Sequence, residues 1–302
     1  MGGLVAKITK DIVVDLNALT AEEEYKVAVL LPTRKRGELA ERCLLSLAEK
    51  AHNNEDIVYM VALDDDDQES IDYFESTVIP KFEELELNYD IRVVPRWGYI
   101  NLHEYVNYLG REASADWLMF WNDDAIMETK GWDEKIIEHT GKFRVLRMQE
   151  NQKHPYAIFP IVPKDWHYLL GHLSSHQMSD AQISQIAYMC DIMVNLDVHC
   201  THDRFDLTGN NNDATYNDRP QLEGNANNPL DLNSKETTAL RYAECCKIMW
   251  HLRKIGDDND HFRLAITQEG PMWDKLREND PEGHTTQFTP DKKTGRYIKD
   301  KK

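Results

Sequence analysis

Three apolar runs, each stopped abruptly by a polar cluster, constrain this chain more than any other feature. Val27–Pro32 (VAVLLP) meets Thr33-Arg34-Lys35-Arg36, Ile57–Leu63 (IVYMVAL) meets four aspartates, Asp64 to Asp67, and Trp117–Trp121 (WLMFW) meets Asn122-Asp123-Asp124. Apolar runs without alternation belong to strands covered on both faces, as in a parallel sheet. Helical spacing lies between them. Gly37 to Ala51 places Leu39, Cys43, Leu44, Leu47 and Ala48 on one face. Gln68 to Leu87 reads as helix with a break expected at Pro80. Ile91 to Val94 is a short strand, and Leu102, Tyr105, Val106 and Leu109 mark another helix. Strands alternating with helices predict a mostly parallel α/β sheet with helices on both faces.

Ligands of such sheets bind beyond the carboxyl ends of the strands. There the chain gathers cations, carboxylates and a hydroxyl. Several carboxylates on one rim repel unless something neutralises them. A hard divalent cation, Mg²⁺ or Mn²⁺, does so with one or two carboxylates plus phosphate oxygens and water. Arg34 and Arg36 suit a bound diphosphate. The plainer alternative is that the acidic residues simply end strands in turns.

The second half is less regular. A strand is expected over Ala157 to Val162, a helix over Asp180 to Asn195 and a short strand over Asp197 to Cys200. Asp206 to Asn233 is rich in Asn, Asp and Gly and reads as a long loop, a length usual for functional lids. Asn233 and Glu236 form a capping-box pattern opening a helix to about Ile255. The polar tail follows from Gly256, with Lys292 to Lys302 expected to be mobile. The expected division is a catalytic domain over 1–232, with halves of about 25–135 and 136–232, then a helix and tail over 233–302.

The net charge of −18 disfavours broad nucleic-acid binding, which depends on neutralising phosphates. Local basic clusters remain: Arg34 to Arg36, Arg92 with Arg96, and Lys142, Arg144 and Arg147, each a basic track or a solvated face. Five cysteines without a CxxC pair fit reduced thiols in a cytoplasmic setting. Met1 to Asp11 has no signal-peptide pattern, and no window approaches the roughly 18 apolar residues of a membrane span. The densest polar cluster is His199-Cys200-Thr201-His202-Asp203-Arg204. A zinc site from His199, Cys200 and His202 is one reading, although structural zinc wants four ligands at wider spacing. A structural core histidine is another.

VAVLLPTRKR, VALDDDD and ADWLMFWNDD, in that order and followed by Gly131-Trp132, resemble the glycosyltransferases of the GT-A fold, close to family 2. The match spans about Val27 to Trp132. It implies a Rossmann-like GT-A sheet with a C-terminal helical extension and transfer from a nucleoside-diphosphate sugar, with UDP-sugar the expected donor. Pro32, Thr33 and Arg34 would line the nucleoside pocket, with Arg36 and Arg96 as further donor contacts. Asp65 would contact the base, with Asp64 as second choice. Asp123 would touch ribose or metal, and Asp124 would ligate Mn²⁺ or Mg²⁺. Asn122 stands where a DxD motif has its first aspartate. His202 would complete the metal or diphosphate site. His176-Gln177-Met178-Ser179-Asp180 resembles the segment carrying the general base, so Asp180 is the catalytic candidate and Asp191 the fallback. The other reading of Asp180 is a helix cap.

The family implies inversion at the anomeric carbon. A looser resemblance, to bacteriophage enzymes that glycosylate hydroxymethylated pyrimidines, makes modified DNA one acceptor, with a host-cytoplasmic location. A carbohydrate or protein acceptor is the alternative. Trp97, Tyr99, Trp166, Tyr168 and Trp273 could stack on a sugar or base. Two readings of another class use the same rim: a non-catalytic nucleotide-sugar-binding protein and a metal-dependent phosphohydrolase.

Overall fold

The computed structural model describes residues 23–151, 154, 156–213, 232, 234–256, 288–290 and 297–299. The expectations for Met1 to Asp11, Asn233, Trp273 and most of the long loop lie outside these residues.

Eight strands form one mixed sheet in the order β3-β2-β1-β4-β7-β6-β8-β5. They are β1 (Tyr25–Thr33), β2 (Ile57–Asp64), β3 (Asn88–Val94), β4 (Ala115–Phe120), β5 (Ala125–Met127), β6 (Val145–Glu150), β7 (Ile161–Pro163) and β8 (Met193–His202). Strands β1 to β4 pair in parallel, β7 runs against both β4 and β6, β6 and β8 are parallel, and β5 runs against β8. The expected mostly parallel α/β sheet is therefore present, with β5 and β7 reversed.

The double burial read from the apolar runs follows from the alternation of side chains across a strand. Val27, Val29, Leu31, Tyr59, Val61, Trp117 and Met119 enter one core with helices α1 (Gly37–Lys50) and α5 (Trp132–Ile137), and Phe74, Val78 and Phe82 close over it. Ala28, Leu30, Val58, Met60, Leu118 and Phe120 enter the other. That second core is covered by α4 (Leu102–Glu112), α6 (Lys164–Leu170), α7 (Ser179–Met189) and α9 (Lys235–Lys254).

Several local expectations change. The helix over residues 68–84 is not broken at Pro80. It runs as α2 (Gln68–Tyr73), a π-turn (Phe74–Val78) and α3 (Ile79–Glu84), with Pro80 in the first turn of α3. A wide turn just before a proline accommodates the missing N–H without ending the helix. Helix α7 stops at Met189, because Asp191 adopts a left-handed backbone, φ 55°, and turns the chain into β8. The short strand at Asp197 extends to ten residues, whereas the strand over 157–162 contracts to Ile161–Pro163. Strands β5 and β6 were not expected. One is three residues long, and Arg147 and Gln149 interrupt the apolar pattern of the other.

Ser234 opens α9: its hydroxyl accepts from Thr237 N at 3.1 Å and its carbonyl from Thr238 N at 2.9 Å. Cys245, Ile248 and Leu252 of α9 pack into the second core. Two further strands, β9 (Phe288–Pro290) and β10 (Tyr297–Lys299), pair antiparallel, so the stretch read as a mobile tail contains a strand. Among the described residues no helix is long and apolar enough to cross a membrane.

Candidate functional site

Because β1, β2, β3, β4, β6 and β8 all point the same way, their carboxyl ends share one rim. Thr33, Asp64, Glu150 and His202 are the last residues of their strands, and Asp123 and Asp124 follow β4. Helix α7 leads to the opposite end of β8, which puts its first turn, with Asp180, at the same rim.

On the β2–β3 side of the rim, Asp64 is buried. One of its oxygens accepts from Tyr105 Oη at 2.5 Å, the other from Arg34 Nη1 at 2.9 Å. The Tyr105 oxygen in turn accepts from the backbone N–H groups of Trp97 (3.0 Å) and Gly98 (3.1 Å), holding the β3–α4 loop against Asp64. Burial and then the Asp64 carboxylate push the Tyr105 phenol up to about 12. Arg34 also pairs with Asp66, which Arg96 reaches at 3.4 Å. Asp65 is exposed and fixed by two backbone contacts, its N–H to Val94 O at 2.8 Å and its carboxylate from Arg96 N at 3.2 Å. Pro32 is half-buried near the end of β1, paired with Ala62 of β2. The four aspartates therefore divide. Asp64, Asp65 and Asp66 gather around Arg34 and Arg96, whereas Asp67 is structural: it caps α2 through Ser70 N and holds Lys35 N at 2.6 Å in a left-handed turn, φ 55°.

On the β4–β8 side, Thr33 donates to Asp123 Oδ2 at 2.8 Å and Arg36 Nη1 to Asp123 Oδ1 at 2.9 Å. Burial raises the Asp123 carboxyl to about 6; Arg36 opposes this and Asp124 adds to it. Burial alone would lower the Arg36 guanidinium, but Asp213 and Asp123 outweigh it and hold it above its ordinary value. Asp124 lies 3.9 Å from Arg36. The antiparallel pairing of Ala125 with His202 sets Asp124 against the histidine, and Asp203 N donates to Asp124 O at 2.7 Å.

Asp124 Oδ1 and His202 Nε2 are 3.2 Å apart, both buried, and neither has a hydrogen-bond partner among the described residues. Orphaned buried polar atoms are rare in folded proteins and call for an explanation. Two neighbouring ligands of an octahedral ion with bonds of about 2.0–2.1 Å stand about 3 Å apart. The pair thus fits a divalent metal in spacing, and a carboxylate with an imidazole suits Mn²⁺ better than a pure oxygen cage. No group of three or more His, Cys, Asp or Glu side chains among the described residues could hold a metal alone. The remaining ligands would come from phosphate oxygens and water.

The zinc reading does not form. His199 and Cys200 leave β8 on opposite faces: His199 is exposed beside Asp197, and Cys200 is buried in the first core, where burial pushes its thiol up. His202, two residues on, shares the Cys200 face, with its ring edge-on to Phe159 at 5.2 Å.

Asp180 does not cap its helix; Met178 holds the cap position, without a side-chain bond, and Asp180 sits in the first turn. Its charge acts on His154 and Tyr156 in the loop after β6. Burial lowers the His154 imidazole, with Asp180 and Glu150 opposing, and burial then Asp180 push the Tyr156 phenol up to about 12. The same loop reaches His202, since Asn151 accepts from His202 N at 3.0 Å and donates to His202 O at 3.3 Å. Asp191 lies at the far end of α7.

The remaining aromatics differ. Trp166 is wholly buried, stacked on Phe143 at 6.2 Å, and is a core residue. Tyr168 donates to Glu23 at 2.9 Å. Trp97 packs edge-on to Tyr105 at 4.9 Å, on the Asp64 side of the rim. Sequence reasoning missed four participants: Tyr105, Asp66, Asp203 and Asp213. Tyr105 carried only an apolar helix signal, Asp66 was one of four successive aspartates, Asp203 stood beside the histidine that drew attention to its cluster, and Asp213 followed three asparagines in the long loop.

No protein-family model matches the sequence, and no characterised protein matches it by sequence. Solved structures do. A mannosyltransferase from Pyrobaculum calidifontis, in complex with GDP-Man and Mn²⁺, is similar over 88% of this chain and 74% of its own, at 12% identity and a TM-score of 0.51. Residues 1–349 of S. aureus TarS with UDP are similar over 91% and 96%, at 11% identity and a TM-score of 0.48. GalNAc-T7 with UDP, GalNAc and Mn²⁺ is similar over 80% and 59%, at 10% identity and a TM-score of 0.49. The mixed sheet flanked by helices, together with the likeness to the mannosyltransferase, establishes that this chain has the GT-A fold of glycosyltransferases.

Proposed function

We propose that the chain is a metal-dependent glycosyltransferase that moves a sugar from a nucleoside-diphosphate donor, a UDP-sugar in the first instance, to an acceptor hydroxyl with inversion. The observation that carries this reading is the unpartnered Asp124–His202 pair at 3.2 Å, next to Arg36 and Thr33 on the rim. The mannosyltransferase with the same fold binds GDP-Man and Mn²⁺.

In this reading Asp124 and His202 hold Mn²⁺ or Mg²⁺. The ion, when bound, neutralises the charge that develops on the departing diphosphate. Arg36 adds a guanidinium beside the same oxygens. Thr33 and Arg36 keep Asp123 oriented, leaving its carboxylate to meet the ribose. Asp64, Asp65 and the Trp97 face receive the base. Asp180, in the first turn of α7, takes the proton from the acceptor hydroxyl. The acceptor is a carbohydrate, protein or hydroxymethylpyrimidine hydroxyl, and the net charge of −18 weighs against the last.

The test is calorimetric titration with UDP and GDP, with Mn²⁺ and with chelator, on the wild type and Asp124→Ala. Metal-dependent binding lost in D124A supports the site; for either nucleotide, identical affinity in both proteins with and without metal refutes it. Labelled UDP-sugar with each acceptor class then separates transfer from hydrolysis. In that assay Asp180→Asn should abolish transfer while donor affinity stays unchanged, and near-normal turnover would remove Asp180 as the base.

A further inference from the structure

The segment after β8 folds back across the rim. Helix α8 (Phe205–Thr208) ends at Gly209, φ 79°, and Asn211 follows at φ 59°, two left-handed turns that reverse the chain. Asp203 knots the reversal, accepting from Thr208 Oγ1 at 2.7 Å and Asn210 Nδ2 at 2.8 Å, and Arg42 of α1 ties it down at 3.0 Å. Burial would raise the Asp203 carboxyl, but these hydrogen bonds hold it below its ordinary value. The result is that Asp213 returns to the rim. Its two oxygens accept from Arg36 Nε at 2.7 Å and Nη2 at 2.9 Å.

That is a two-pronged guanidinium–oxyanion pair, the geometry by which arginine also holds a phosphate. Arg36 has three donor nitrogens. Nη1 serves Asp123, and Nε and Nη2 serve Asp213. Three of the five N–H groups are thus taken and the Arg36 side chain is only 9% exposed, so little of it is open to an incoming anion. Asp213 itself is half-buried.

We propose that Asp213 is an internal anion that occupies the diphosphate place on Arg36, and that donor binding displaces it and the strap that carries it. The inference rests on the donor reading above and assigns that site a regulation. The strap begins at His202, one of the two metal-ligand candidates, so loading the metal with a diphosphate and releasing Asp213 act on the same short stretch of chain. Strap contacts and donor contacts are then alternatives, and weakening one strengthens the other, as linkage requires.

The experiment uses the full chain, with inorganic diphosphate and UDP as separate probes in the presence of Mn²⁺. Asp213→Asn keeps the shape of the side chain and removes its charge. With the charge-assisted pair weakened, D213N should bind both probes on the order of tenfold more tightly or better. Asp206→Asn, in the same segment but paired with Arg204, should leave affinity unchanged. Hydrogen exchange over 203–213 should rise in the wild type when diphosphate is added. Equal or weaker binding by D213N, with the wild type still binding UDP, overturns the internal anion and leaves the donor reading intact. Failure of both proteins to bind either probe overturns both.

Discussion

Glu244 of α9 offers a test of how the connector before the candidate base is held. It is 1% exposed, lies 2.7 Å from His172 Nε2, and accepts from Gln182 Nε2 at 3.2 Å. Gln182 in turn holds Ser174 and Ser175, the loop that enters the first turn of α7. Burial raises the Glu244 carboxyl from 4.5 to about 7, against the pull of Arg241 and Lys247. Burial, with Lys247 and His103, lowers the His172 imidazole. Below that value the buried Glu244 side chain is therefore a neutral acid, 2.7 Å from the imidazole. A carboxyl with a folded pKa above its unfolded value binds its proton better when folded, so its contribution favours the fold at low pH and is lost as pH rises from 4.5 through about 7. At about 1.4 kcal/mol per pH unit, that span is worth about 3 kcal/mol.

Glu244→Gln imitates the protonated form: its amide can donate to His172 and its carbonyl can accept from Gln182. Urea denaturation of both proteins should give equal stability near pH 4.5 and a gain for E244Q of up to about 3 kcal/mol near pH 8. The difference between the two proteins matters because His167, which burial lowers to about 4, adds an opposite slope to both. A gain independent of pH, or a loss at pH 8, would refute the reasoning.

Gly110→Ala tests packing of α4. A Cβ there would stand 2.4 Å from Leu173 Cδ1, a buried side chain, so overpacking of about 1–3 kcal/mol should exceed the helix-propensity gain of about 1 kcal/mol. A net thermal destabilisation is expected, and a higher melting temperature would contradict it. Tyr105→Phe removes the hydroxyl shared by Asp64, Trp97 and Gly98. It should weaken UDP binding by about 1–2 kcal/mol without changing its metal dependence, and titration with and without chelator checks both parts.

Much of the first half was legible because burial on both faces leaves a local record. Strands β1, β2 and β4 each bury successive residues, and a strand that does so must be apolar at every step. Their polar ends then had to share a rim once the strands were parallel, which brought Thr33, Arg34, Asp64 and Asp123 together. Strand β6 left no such record, since Arg147 and Gln149 are spent on Tyr188 and on the Leu196 carbonyl, partners that no window of sequence displays.

What the amino-acid order determined alone was therefore the sheet, its rim and the kinds of group along it, because periodicity is a property of neighbours in the chain. Which groups meet was decided only in three dimensions. His202 faces Asp124 through the reversed pairing of β5 with β8, and Arg36 grips Asp213 across a separation of 177 residues. Such contacts depend on strand direction and on two left-handed turns, and neither has a period to read.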